Sequence, residues 1–392
     1  MSTPTNARPE AHASSGGAAG TATDDLPVGA ETDFIQTACI ISAEKKRNIW
    51  LRPKPSDRAA LSMLLALVVV SFLCLSLIVA LMGNARVVTQ TSAATGGSAS
   101  NAATVNVARG SVPAHQTYNA QPPVAAQGDT VSVRLVAKQA VISIAPDVAY
   151  HAWTFNGTVP GPIIRVRQGQ TINFTLTNED QMPHSIDFHA AQTPWNLNYQ
   201  PVAPGKSFSF SFKANYPGAF LYHCGTSPAM FHIANGMYGA IIVDPAAGWS
   251  PAREFVLVQS EFYTRQAADG TYSLDATKMM RITPDYVVFN GYASQYQNAP
   301  LQARANQKIR IFIVNAGPSQ FSAFPVIGAI FSDVYVDGNP ANHTVGDQTI
   351  TVPPGGGSVV ELTLPDPGQY PVVTHSFAGA SMGALGIINV TP

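Results

Sequence analysis

Cys224 stands in the run Leu221-Tyr222-His223-Cys224, with His232 and Met237 shortly after it. A thiolate, an imidazole and a thioether in one short segment, with another His upstream, suit a blue-copper electron-transfer centre. Such a centre uses two His and one Cys in a trigonal set, with Met as a weak, long axial ligand. The residue before Cys224 is also a histidine. Neighbouring side chains on an extended strand point to opposite faces, so His223 and Cys224 can serve two different metal ions joined by one stretch of backbone. The segment Met182-Pro183-His184-Ser185-Ile186-Asp187-Phe188-His189 matches this by parity. On a strand, His184 and His189 face opposite ways, while Asp187 and His189 share a face. Pairing that strand with the one carrying His223-Cys224 predicts two sets. His184 joins Cys224 on one side; His189 and Asp187 join His223 on the other.

The elements that must position these residues are strands. The chain has 392 residues, enough for two or three domains. It carries 31 Gly and 30 Pro among short Val/Ile/Phe/Thr runs, which favours a turn-rich all-β fold. Charged residues make up 11% and the net charge is −1, so nothing points to a nucleic-acid partner. One segment stands apart: residues 59–83 (AALSMLLALVVVSFLCLSLIVALMG) contain no charge. At about 1.5 Å per residue they reach roughly 37 Å, enough to cross a hydrocarbon core of about 30 Å. The 58 residues before the run far exceed a signal-peptide n-region. Lys45, Lys46, Arg47, Arg52, Lys54 and Arg58 precede the run and only Arg86 closely follows it. The positive-inside rule therefore predicts a single-pass anchor in the cell membrane, with everything after residue 84 on the extracytoplasmic side. Cys39 and Cys74 would then lie inside or within the membrane, leaving Cys224 as the single exported thiol. A lone exported Cys needs an explanation, and metal ligation supplies one.

The composition divides the chain into a mostly disordered cytoplasmic tail (1–58), a transmembrane helix (59–83), a flexible small-residue linker (84–129) and two globular domains, 130–246 and 250–392. The globular part is duplicated. Phe155-Asn156-Gly157 recurs as Phe289-Asn290-Gly291, and the strand Ile172–Asn178 is echoed by Ile309–Asn315. Tyr216-Pro217-Gly218 is echoed by Asp366-Pro367-Gly368, and the Gly236–Val243 segment by Ser381–Ile388. Two β-sandwiches of one type are expected. The second lacks a Cys and so cannot form a blue-copper centre, but it keeps His375 near the place expected to match His223.

Over residues 130–392 the chain resembles the two-domain copper-containing nitrite reductases. MPHSIDFHAA, YHCGTSPAMFHIANGM and THSFAGASMGA are similar to that family's ligand segments, in order. The resemblance implies two tandem cupredoxin-like Greek-key sandwiches, all-β, and two copper ions per chain. Type 1 copper would be held by His184, Cys224, His232 and Met237, and type 2 copper by His189, His223 and His375. Three neutral imidazoles leave an open position for substrate. It further implies a homotrimer in which His375 completes a neighbour's site, with reduction of nitrite to nitric oxide by an electron passing through Cys224-His223. A small electron-donor protein, a cupredoxin or a c-type cytochrome, would supply that electron. Asp187 matches the family's catalytic Asp; the competing reading is a carboxylate that only orients a ligand His.

One departure stands out. The family places a second catalytic His in a Phe-His-Val-Ile-Gly-like segment, whereas this chain reads Phe324-Pro325-Val326-Ile327-Gly328. Pro325 has no titratable group, so altered proton delivery is expected; Ile327 matches the apolar residue that narrows the substrate pocket. Two rival functions follow. A laccase-like multicopper oxidase needs several His-X-His pairs, and this chain has none. A non-catalytic electron carrier fits Pro325 but leaves His189, His223 and His375 without a purpose. His12, His115 and His151 lack a partner motif, and His343 reads as a loop residue.

Overall fold

A computed structural model describes residues 112–392. The tail, the apolar run 59–83 and the linker up to residue 111 lie outside the described residues. Among the described residues no helix is long and apolar enough to cross a membrane.

The first sandwich contains β1 (Thr130–Ala145), β2 (Val148–Phe155), β3 (Ile164–Arg167), β4 (Thr171–Asn178), β5 (Asp187–Phe188), β6 (Ser207–Lys213), β7 (Gly218–His223) and β8 (Tyr238–Asp244). The second contributes β9 (Arg253–Phe262), β10 (Thr264–Gln266), β11 (Tyr272–Leu274), β12 (Tyr286–Phe289), β13 (Leu301–Arg304), β14 (Lys308–Gly317), β15 (Ser322–Phe324) and β16 (Asp333–Val336). It continues with β17 (His343–Thr344), β18 (Ile350–Val352), β19 (Gly357–Thr363), β20 (Gly368–Val373) and β21 (Leu385–Thr391). One sheet runs β10-β11-β2-β1-β4-β6 and faces β3-β8-β7-β5. The second sandwich sets β12-β9-β14-β19-β16-β17 against β13-β21-β20, with β15-β18 as a separate pair. Parallel pairing of β1 with β4 and of β3 with β8 recurs as β9 with β14 and β13 with β21. The fold is all-β, as expected.

The repeated Phe-Asn-Gly is the same turn twice. Asn156 and Asn290 take φ of 60° and 52°, a left-handed conformation that Asn tolerates better than most residues. Each side chain then replaces a missing ladder partner: Asn156 Oδ1 accepts from Val136 N–H at 2.7 Å, and Asn290 Oδ1 from Val258 N–H at 2.7 Å. The hydrogen bonds also correct two expected alignments. Cys224 N–H donates to the Met237 carbonyl, and Thr374 N–H donates to the Ala384 carbonyl. Gly236 and Gly383, at φ 115° and 121°, precede those acceptors. The Gly236–Val243 segment therefore matches Gly383 onward, two residues later than the sequence echo suggested. Counting along β7 and β20, Val373 occupies the place of His223, and His375 lies two residues beyond it.

Among the described residues three large apolar cores and one small cluster at Ala234, Tyr263 and Met279 hold the molecule. One fills the first sandwich and includes Phe174, Phe188, Tyr222, Cys224 and Met237. A second fills the other sandwich around Phe255, Phe289, Phe324 and Leu362. The third lies on the seam, where Ala219, Leu221, Tyr238, Ala240 and Ile242 meet Val256, Val258, Phe312, Val314 and Val359. Strands β7, β8, β9 and β14 are thus covered on both faces, which is why they read as near-continuous apolar runs. Backbone contact at the seam is close. A Cβ on Gly357 would collide with the Ala219 carbonyl, so β19 can lie here only with glycine.

Two further features cross the seam. The β10–β11 hairpin extends the first sandwich's sheet through Tyr272 beside Tyr150. Residues 112–129 correct the expectation of a loose linker: they form a strap tied to both halves. Tyr118 Oη donates to the Gly161 carbonyl (3.1 Å) and its N–H to Gln295 Oε1 (2.8 Å), while Val256 N–H donates to the Ala120 carbonyl (2.7 Å). Composition alone suggested a tether; satisfied backbone groups made it part of the fold.

An ion cluster closes one edge of the seam. Glu254 bridges Arg165 of the first sandwich (2.7 Å) and Arg310 of the second (2.8 Å). Arg165 also meets Asp244, and Arg310 meets Glu361 at 2.7 Å. Both arginines keep another carboxylate when Glu254 is removed, so the cost is that of lost charge-assisted hydrogen bonds, about 1.5–3 kcal/mol. Glu254→Ala is expected to lower unfolding free energy by about that amount in urea denaturation; a change inside experimental error would show the cluster to be ornamental to stability.

Candidate metal centres

Two groups of ligand-type atoms lie on either side of the His223–Cys224 peptide. In the first, His184 Nδ1, His232 Nδ1 and Cys224 Sγ form a triangle with edges of 3.2, 3.3 and 3.9 Å. A point about 2 Å from all three corners exists, which is the length of a transition-metal bond to N or S. Two of the donors are oriented toward that point by hydrogen bonds. His184 Nε2–H donates to Asp180 Oδ2 at 2.8 Å, and Ser185 N–H donates to Cys224 Sγ at 3.3 Å. His184, Cys224 and Met237 are fully buried and His232 is 5% exposed. Met237 lies in the same apolar core, its N–H bonded to the His232 carbonyl. Trp153 packs edge-on against the rings of both His184 and His232.

The second group is Asp187, His189 and His223. His189 Nε2 and His223 Nε2 face each other at 3.1 Å. His189 Nδ1–H donates to the carbonyl of Gly355, from the second sandwich, at 3.0 Å. His223 Nδ1–H donates to the Cys224 carbonyl at 2.9 Å. Both outer nitrogens being donors, both Nε2 lone pairs are free for a metal. Asp187 Oδ2 lies 3.8 Å from His223 Nε2, and the two residues pair across β5 and β7.

The segment bearing His184 and His189 differs from the expected strand. Only Asp187–Phe188 is strand, and His184 sits in an isolated bridge with Val202. The two-sided division arises instead on β7 and the residue after it: Leu221 lies in the seam core, Tyr222 and Cys224 in the first core, and alternation puts His223 on the side of Leu221. His375 is outside both groups within one chain. Its N–H is held by the Ala323 carbonyl at 2.6 Å and its ring stacks on Phe377. Pro325 is buried at the end of β15, and Ile327 beyond it is 40% exposed. His115 stacks on Tyr292, His151 bonds Thr271, and His343 lies in the short strand β17 against Asp333 rather than in a loop.

Three residues of these groups escaped sequence reasoning: Asp180, Trp153 and Gly355. Comparing the repeats in register was the available signal. Asp180 corresponds to Gly317, because each N–H donates to the side chain of a matching Asn, 178 or 315. The ligands of the first group are likewise replaced. Ala323 N–H donates to Thr374 Oγ1 as Ser185 N–H does to Cys224 Sγ, which places Ser322 at the His184 position and Thr374 at the Cys224 position. Ala384 N–H donates to the Gly379 carbonyl as Met237 N–H does to His232, so Gly379 and Ala384 take the other two places.

Tandem cupredoxin-like sandwiches, one with a buried N2S triangle, define a protein of the multicopper-oxidase class. Two family models described as multicopper oxidase match residues 137–248 and 253–388. The copper-containing nitrite reductase of Neisseria meningitidis serogroup B is 41% identical over 270 residues, covering 66% of this chain and 68% of its own. That of Alcaligenes xylosoxydans xylosoxydans is 32% identical over 264 residues, covering 61% and 79%. The solved copper nitrite reductase from Nitrosomonas europaea superposes with a TM-score of 0.63 at 38% identity, covering 67% of this chain and 94% of that one. The chain belongs to the copper-containing nitrite reductases and is a copper-dependent oxidoreductase.

Burial governs the titration of the first group. It pushes the Cys224 thiol up and the His184 imidazole down, the latter opposed by Asp180. His232 falls to about 4, through burial first and the neighbouring His184 charge second. An unfolded His takes up its proton near pH 6.5 and folded His232 only near 4, so the unfolded state binds more protons between those values. The stability tied to neutral His232 is complete above pH 6.5 and is lost as pH falls toward 4. Melting temperatures of copper-free protein should therefore decline from pH 7 to 4.5; a flat or rising profile contradicts this assignment.

Proposed function

We propose that this chain reduces nitrite, with one electron and two protons, to nitric oxide and water, using two copper ions per chain. His184, Cys224, His232 and Met237 would hold type 1 copper; His189, His223 and the His375 of an adjacent subunit would hold type 2 copper. The observation that carries this reading is the division of consecutive ligands, Cys224 and His223, between two donor sets of different chemistry. With copper bound, the first set supplies a one-electron relay and the second an open position for a small anion. The chain itself supplies the path. The Cys224–His223 backbone joins the sets, and the 2.9 Å bond from His223 Nδ1–H to the Cys224 carbonyl shortens it.

Separation of His375 from His189 and His223 within one chain supports a homotrimer, in which each second site draws on two subunits. Phe377, 72% exposed and stacked on His375, would be covered by that contact. The run 59–83 would anchor the protein to the cell membrane with both sandwiches on the extracytoplasmic side, where a small cupredoxin or c-type cytochrome donates the electron. Metal analysis tests the count. Wild type should hold two coppers per chain; His189→Ala and His375→Ala should each lose one and keep the blue band. No loss in either variant removes the second site.

Asp187 is the titratable residue beside His223 and serves here as proton donor and as hydrogen-bond partner for the bound anion. Pro325 leaves the second donor position empty of acid chemistry, so protons arrive by Asp187 and water. A positioned general acid is worth about 10²–10⁴-fold. Pro325→His is expected to raise nitrite turnover by about tenfold or more and to shift its pH profile; an unchanged rate and profile count against the assignment. Pro325 also favours the rival reading of a non-catalytic electron carrier, which predicts blue protein with one copper per chain and no nitric oxide from nitrite.

A further inference from the structure

The second sandwich is an internal control on what the first copper set requires. Its backbone repeats the first in the Asn clamps, in the bond to Thr374 or Cys224, and in the turns at Gly236 and Gly383. All four ligand positions differ, as does the position of Asp180. One further position differs with them. Trp153 N–H donates to the Asn235 carbonyl at 3.1 Å, and Val287 N–H donates to the corresponding Met382 carbonyl at 3.4 Å. Both lie two residues before the Phe of Phe-Asn-Gly. Val287 packs toward Gly379 in the place where Trp153 packs on His232. The tryptophan is present where the imidazoles are and absent where they are not.

Its geometry says what it does there. The indole centroid lies 4.9 Å from the His232 ring and 6.0 Å from the His184 ring, at interplanar angles of 61° and 62°. His184 has Asp180 to hold its outer nitrogen. His232 Nε2 has no hydrogen-bond partner among the described residues. A ligand ring without a protein partner on its outer nitrogen is steadied by packing, and half-buried Trp153 packs edge-on against both rings.

We propose that Trp153 is a positioning and potential-setting residue of the first copper centre, locking the His232 ring and keeping water from both imidazoles. This rests on the type 1 reading given above. An apolar wall disfavours the more highly charged oxidised state, so opening it to water lowers the reduction potential. Outer partners of metal ligands typically change affinity by about 10–100-fold when removed.

Trp153→Val is the informative variant, because Val287 shows that this strand position accepts valine. On full-length, copper-loaded protein, redox titration of the blue band should give a more negative midpoint than wild type. Competition with a chelator should show the type 1 copper held about tenfold or more weakly, and Trp153→Phe should fall between. The type 2 electron paramagnetic resonance signal should not move. Wild-type midpoint, band position and affinity in Trp153→Val overturn the proposal; if that variant does not fold, Trp153→Leu carries the same reading. Absence of a blue band in copper-loaded wild type refutes the type 1 assignment itself, a separate result.

Discussion

The structure depends on β7 being buried on both faces. Tyr222 and Cys224 belong to the first sandwich's core, and Ala219 and Leu221 to the seam. Side chains on a strand alternate strictly, so a slip of one residue would drive Tyr222 into the seam and turn Cys224 out of its pocket. Each fully buried apolar side chain contributes about 1.5–3 kcal/mol relative to exposure. Two packed cores therefore fix the register, and the register fixes which side chain joins which group of donor atoms. Chemistry at this peptide is a consequence of packing on both sides of it.

The second half shows that a sandwich of this type stands without the ligand set. In the second half, Ser322 Oγ donates to Gln259 Oε1 at 2.6 Å, filling the space of a ligand with a satisfied polar pair. Thr374 keeps the hydrogen bond that the thiol receives in the first half. The strands that carry the site recur without the ligands, although β15, which follows β14 as β5 follows β4, pairs with β18 instead of joining the sheet of β20 and β21. At the end where the ligands lie, the halves differ in those side chains and in the aromatic and acidic residues that steady them.

Much of this was legible in the residues. The ligand runs, the two-sided division at His223-Cys224 and the paired sandwiches follow from spacing and alternation. The missed features depend on distant segments meeting. Nothing near His189 announces that Gly355, from the other sandwich, will hold its ring. The strap at 112–129 is rich in small and polar residues, and its order comes from carbonyls and amides that composition does not show. The misjudged repeat alignments had a similar cause. Ser381-Met382-Gly383 looks like Gly236-Met237-Tyr238 in letters, but the left-handed glycine sets the true match, and β21 begins two residues later.

The hydrogen bond from His189 to the Gly355 carbonyl joins a ligand on one half to an acceptor on the other. Any slight parting of the halves would release that ring to spin about its own bond while every donor stayed in place. A spun ring offers the wrong nitrogen. If copper binds at His189 and His223 as proposed, its occupancy would gauge how tightly the two halves are shut, and long-range damage to the seam would be felt there before the buried Cys224 group noticed it.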